Sequence, residues 1–129
     1  MDPEQLQQDI NRVTEKIINC IYRVSNTLGS GFLEKVYENA LAIELQENGL
    51  KVTQQYPIMV LYNKKPVGDF VADILVEDRV IVETKAVKAL DVVHSAQCMN
   101  YLKATGLKVC LLVNFGKPRA EIKRIVLDF

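Results

Sequence analysis

A chain of 129 residues fits one domain with one core, and 49% hydrophobic with 25% charged residues is the composition of an ordinary soluble globular protein. Sixteen Lys and Arg balance sixteen Asp and Glu, so no field from net charge draws the chain toward polyanions. A nucleic-acid role would therefore rest on local basic groups or on a metal bridging to phosphate.

The first residues, Met1-Asp2-Pro3-Glu4, are acidic and lead into no long apolar run, which excludes a secretory signal and a membrane span and makes the cytoplasm the expected location. Asp2-Pro3-Glu4-Gln5 reads as an N-cap, a proline at the first helical position and a capping-box glutamine. Leu6, Ile10, Val13, Ile17, Ile21, Val24 and Leu28 then recur at spacings of three and four. They predict one long amphipathic helix ended by Gly29-Ser30-Gly31, whose stripe packs in a core or forms the seam of a homodimer. A second helix is expected from about Phe32 to Asn48, with Gly49 as its C-terminal glycine. Cys20, Cys98 and Cys110, odd in number and without metal-ligand spacing, read as reduced core residues.

Lys51 to Tyr62 reads as a long strand bent at Pro57, turned back by Asn63-Lys64-Lys65-Pro66 into a strand from Val67. Phe70 to Val76 and Val80 to Ala86 are strand-like, with Glu77-Asp78-Arg79 as the turn between them. A helix over Asp91 to Ala104 follows, closed by Thr105-Gly106. Leu107 to Phe115 is an almost unbroken apolar run, as expected of a strand covered on both faces, and Ile122 to Leu127 alternates like an edge strand. The order predicts an α/β sandwich around a mixed sheet in a single domain, 1–129.

The chemistry concentrates on the hairpin. Folding it about Asp78 sets Val76 against Val80 and Asp73 opposite Glu83. Strict alternation puts Val71, Asp73 and Leu75 on one face with Ile81, Glu83 and Lys85, and the apolar set Phe70, Ala72, Ile74, Val76, Val80, Val82, Thr84 and Ala86 on the other. Facing carboxylates repel unless a cation lies between them, which suggests a hard divalent metal and hydrolytic chemistry; a solvated salt-bridge cluster neutralised by Lys85 is the plainer alternative.

Two helices offer further groups. With Gly31 as N-cap, Glu34 sits at the third helical position and folds back as a capping-box acid; alternatively, sharing a face with Tyr37, Glu38 and Leu41, it reaches a metal from above the hairpin. His94, Gln97 and Tyr101 share a face of the later helix, either as polar surface or with Gln97 and Tyr101 bonding a phosphate or the lysine. His94, the single histidine, is more often structural in such a place and stays a candidate. Nucleophile elbow, P-loop and dinucleotide fingerprint are all missing from the sequence.

Gly31-x-x-Glu34-x-x-Tyr37 resembles the motif that names the GxxExxY proteins, a small family within the PD-(D/E)XK nuclease superfamily. Asp73 with Glu83-Thr84-Lys85 is similar to that superfamily's acid…E-x-K centre, Gln97-x-x-x-Tyr101 to the Q-x-x-x-Y motif of its recombination-exonuclease branch, and Leu111 to Gly116 to the family's late strand. The proline of the superfamily's "PD" is Ala72 here. The resemblance implies a restriction-endonuclease-like α-β-β-β-α-β core, with the N-terminal helix as an addition, and Mg²⁺-dependent phosphodiester hydrolysis with Mn²⁺ as a substitute. Asp73, Glu83, the Thr84 carbonyl and Glu34 would hold the metal, Lys85 would orient or help deprotonate the attacking water, and Tyr37, Gln97 and Tyr101 would support lysine and substrate. The partner implied is nucleic acid, DNA before RNA. A silent nuclease-fold module that binds nucleic acid or protein is the alternative.

Overall fold

A computed structural model describes residues 1–129. Helix α1 spans Pro3–Leu28 and α2 Glu34–Glu47; strands β1 (Val52–Tyr62), β2 (Lys65–Val76) and β3 (Val80–Lys85) follow, then α3 (Val92–Thr105), β4 (Val109–Asn114) and β5 (Glu121–Val126). The strands form one sheet in the order β1-β2-β3-β4-β5. β3 and β4 are parallel, joined through α3, and the other pairs are antiparallel. This is the expected mixed sheet between helical layers.

Helix α1 starts as its sequence dictates, with the Asp2 carboxylate accepting from Gln5 N at 2.8 Å. Its stripe turns inward: Ile10, Ile17, Ile21 and Val24 are buried against α2 and the sheet residues Ile74, Val76, Val80, Val82, Leu111 and Val113. Each such side chain withdrawn from water contributes about 1.5–3 kcal/mol. The stripe thus packs in the chain's own core, the first of the two readings of α1.

The opposite sheet face is buried as well. Leu75, Ile81, Cys110, Leu112 and Ile125 pack with Cys98, Tyr101 and Leu102 of α3. The hairpin register is the expected one, Val76↔Val80 followed by Leu75↔Ile81 and Ile74↔Val82. The face assignment beyond it is corrected. Ala72 lies in the α3-side core although Ile74 belongs to the α1-side core, and Phe70 tilts against Tyr101 of α3 with ring centroids 6.1 Å apart. The strand turns over at Asp73. Opposite it, the β1–β2 ladder skips from Gln54↔Ile74 to Tyr56↔Ala72, because Gln55 has φ 54°, the left-handed region. The bend of β1 is at Gln55, not Pro57.

Two turns also differ in length or character from simple expectation. β1 and β2 are joined through Asn63-Lys64 alone, both with positive φ (49° and 66°), and Tyr62 pairs with Lys65. A two-residue turn of this kind matches the right-handed twist of the strands it joins. Pro66 is tolerated inside β2 because the stretch before Ile74 pairs with β1 only, leaving its other edge free. The β1–β2 ribbon thus projects past the rest of the sheet. In Glu77-Asp78-Arg79, Glu77 and Asp78 adopt φ 53° and 56°, and Arg79 N closes the turn on Val76 O at 3.0 Å.

Candidate active site at the parting of β2 and β3

The β2–β3 ladder ends at Ile74↔Val82, one pair short of Asp73 and Glu83. Side chains replace the missing main-chain bonds. Asp73 N donates to Glu83 Oε1 at 2.8 Å, while Thr84 N and Thr84 Oγ1 each donate to Asp73 Oδ2 at 2.8 Å. Each acid is thus fixed by the backbone of the other's strand, and Asp73 Oδ1 and Glu83 Oε2 are left without a donor from the chain. Thr84, expected on the apolar face, is buried and turns its hydroxyl to Asp73.

Glu83 is 3% exposed. Burial, and next the Asp73 charge, push its carboxyl up from 4.5 to about 8, against the opposing pull of the Asp73 N–H and the Lys85 ammonium. A buried acid next to another acid is short of cationic charge. Lys85 is half-buried at the end of β3 and donates to Gln97 Oε1 on α3 at 3.4 Å. Tyr101 is buried; burial and the Glu83 and Asp73 carboxylates push its hydroxyl up to about 12, so it stays protonated and donates to Val71 O at 3.4 Å. Gln97 therefore meets the lysine as expected, and Tyr101 meets the backbone of β2 instead.

Glu34 sits at the first position of α2. The N-cap is Leu33, and no side chain caps the helix, so the capping-box reading is corrected. The chain enters α2 two residues later than the sequence suggested, which leaves Glu34 free at the helix mouth. Its carboxyl is raised by burial and by Asp73 and Glu38, and lowered by Lys85 and His94, which brings it into the same electrostatic neighbourhood. His94 is itself committed locally: its Nδ1 accepts from Asp91 N at 3.0 Å, completing the capping box of α3.

Tyr37 is placed by the structure in the core. Its ring stacks on Phe115 at 4.7 Å, and its hydroxyl donates to Gly29 O at 2.6 Å and accepts from Phe32 N at 3.2 Å. It does not point into the site. What it does is close the loop from Gly29 to Phe32, where Gly31 takes φ 117°, a conformation only glycine adopts cheaply. Glycine, acid and tyrosine of the motif thus form one device: a left-handed turn pinned by a phenol, delivering Glu34 to the end of the sheet.

Two sets of positioning residues were not singled out from sequence. Asn114, fully buried at the end of β4, accepts from Val87 N (3.0 Å) and Gly116 N (2.9 Å) and donates to Val87 O (2.9 Å). It clamps the segment after Lys85, and a Cβ on Gly116 would lie 2.2 Å from Val87 O. The signal was an Asn two residues before a Gly at a strand end, a common side-chain turn. The second set surrounds Glu38, 3% exposed, which accepts from Lys35 (3.0 Å), Gln54 (2.8 Å) and Gln55 (3.0 Å). That network holds the left-handed Gln55 opposite Asp73; two adjacent glutamines in a strand gave little sign of it.

No group of three or more His, Cys, Asp or Glu side chains converges as a closed metal cage. The donor set fits a hard divalent ion in the open manner of Mg²⁺, which takes one or two carboxylates and completes its shell with water and phosphate. Asp73 Oδ1, Glu83 Oε2 and the adjacent Thr84 carbonyl are oxygens of the right kind, and the raised pKa of Glu83 marks where positive charge is wanted.

No helix is long and apolar enough to cross a membrane. No curated protein matches the chain significantly. Among solved structures, an alkaline exonuclease (LHK-Exo) from Laribacter hongkongensis is similar, at 15% sequence identity and a TM-score of 0.47 over 84% of this chain and 76% of that one. Residues 11–125, all but the two ends, match the description of a single family. The chain belongs to the PD-(D/E)XK nuclease superfamily.

Proposed function

We propose that the chain is a Mg²⁺-dependent nuclease of the GxxExxY branch, with Mn²⁺ as a working substitute, that hydrolyses phosphodiester bonds of DNA. The observation that carries the reading is the interlocked pair Asp73 and Glu83, two acids held side by side with one free oxygen each and a lysine beside them. A bound divalent ion would supply acidification of a water and stabilisation of the leaving oxygen. Asp73, Glu83 and the Thr84 carbonyl would hold it. Lys85, steadied by Gln97, would orient the attacking water and offset charge on the phosphate. Glu34 would add an acid from the mouth of α2, and Tyr101 would keep the β2 edge in place through Val71.

A second reading is favoured by one fact: the two acids already have structural partners in the backbone, so the sheet needs them even without turnover. A silent module that binds nucleic acid or protein would keep them too. Cleavage of single-stranded, double-stranded, branched and RNA substrates, run beside Lys85→Ala and Asp73→Asn, separates the two. Metal-dependent cleavage lost in both variants supports the nuclease; no cleavage of any substrate with Mg²⁺ or Mn²⁺, or activity that survives Lys85→Ala, rules it out.

A further inference from the structure

Between the projecting β1–β2 ribbon and α3 lies a groove of about 740 Å³. Its walls are apolar and reachable: Met59, Leu61, Phe70 and Val93 are 53%, 56%, 48% and 69% exposed. Gln97, Asn100 and Tyr101 supply its polar atoms, and Lys103 is the only charged residue of the eleven that line it. A wall without a single acid, next to a centre built from acids, is suited to a ligand with an apolar body and an anionic end.

We propose that this groove takes an unstacked nucleobase adjoining the scissile phosphate, so that the substrate is single-stranded or frayed nucleic acid in preference to intact duplex; this rests on the nuclease reading above. Continuity with the reaction centre carries it. Gln97 lines the groove and holds Lys85, and Tyr101 lines it while lying within the field of Glu83 and Asp73. A phosphodiester drawn to those acids through a metal therefore has the groove as its neighbour. Phe70, backed by the buried Tyr101 ring tilted at 52° to it, presents aromatic surface in one wall, and a base offers its π-face to such surface only when it has left its stack. The amides of Gln97 and Asn100 can both donate and accept, which suits base edges without selecting one base. Lys103 on the rim matches a neighbouring phosphate.

The test measures binding without turnover. Lys85→Ala protein with Mg²⁺ is titrated by fluorescence anisotropy with a short labelled single strand, the same sequence as duplex, and the same strand made abasic. Single strand is expected to bind at least about 5-fold more tightly than either control, as one base–aromatic contact provides. Adding Phe70→Ala is expected to remove that preference and to leave abasic binding unchanged. Val93→Asp, at an exposed position that the core does not need, is expected to do the same by placing an acid in the groove. Equal binding of all three ligands, no measurable single-strand binding, or a preference that survives both variants overturns the proposal. So does a change of sedimentation from dimer to monomer in the variants with nucleic-acid binding unaltered, which would make the groove an interface between copies. Single-strand preference in a protein that cleaves nothing would sink the nuclease reading and leave the groove standing; cleavage indifferent to Phe70→Ala and Val93→Asp would do the reverse.

Discussion

Glu83→Gln is expected to stabilise the metal-free protein at high pH. The native carboxyl holds its proton up to about 8, whereas the unfolded one releases it near 4.5. Between those values the native state carries the extra proton, so stability falls as pH rises through that window and is level outside it. At about 1.4 kcal/mol per pH unit, the whole window amounts to roughly 5 kcal/mol at most. Relaxation of the surroundings reduces the figure; about 2 kcal/mol is the expected minimum. Gln is isosteric and keeps an acceptor for Asp73 N while losing the charge. Thermal or urea melts from pH 5 to pH 9 in EDTA read the difference, and at about 4 °C per kcal/mol the variant should melt some 8 °C or more above the parent at pH 9. The two should converge at pH 5. Saturating Mg²⁺ should stabilise the parent most at high pH, where Glu83 is free to ionise, and leave the variant almost unchanged. Parallel pH profiles for parent and variant would refute the reasoning, because they would mean that Glu83 ionises in the fold as easily as in water.

Asp73→Asn should abolish cleavage and the metal-induced rise in melting temperature, while an acceptor for Thr84 N persists and stability drops by only about 1–2 kcal/mol in a denaturant titration. Tyr37→Phe removes the bonds to Gly29 O and Phe32 N; it should cost about 1–2 kcal/mol and lower kcat through a loosened Glu34 loop, with the hydrogen exchange of residues 29–33 as the readout. Gly116→Ala should destabilise by about 1–3 kcal/mol, since its Cβ has no room beside Val87, and should weaken activity by shifting the segment that follows Lys85.

Much of this architecture was legible where one local rule acts alone. The Asp2 cap, the α1 stripe and the apolar run of β4 each follow from a period or a cap, and the β2–β3 register follows from the length of the Glu77–Arg79 turn. The candidate site was legible as a set of residue types and less so as a geometry. Alternation assumes a uniform strand, and β2 turns over at Asp73 because Gln55, two strands' width from Glu83, takes a left-handed conformation that glutamine rarely shows. That conformation is held by Glu38 on α2, a contact between residues 17 apart in sequence and invisible to any local pattern. Glu34 was misread as a cap for a related reason: the loop before α2 is set by a tyrosine hydroxyl folding back over eight residues. The Asn114 clamp joins residues 27 apart and had no period to announce it.

Because the backbone amides of Asp73 and Thr84 each end on a carboxylate oxygen, their protons are built-in gauges of what that carboxylate is doing. An ion shared by both acids draws electron density from each, lengthens both bonds and moves the two amide resonances together, whereas a proton on one acid moves only the amide that donates to it. Isotope-labelled protein would then reveal loading of the centre from two peaks, before any substrate is known.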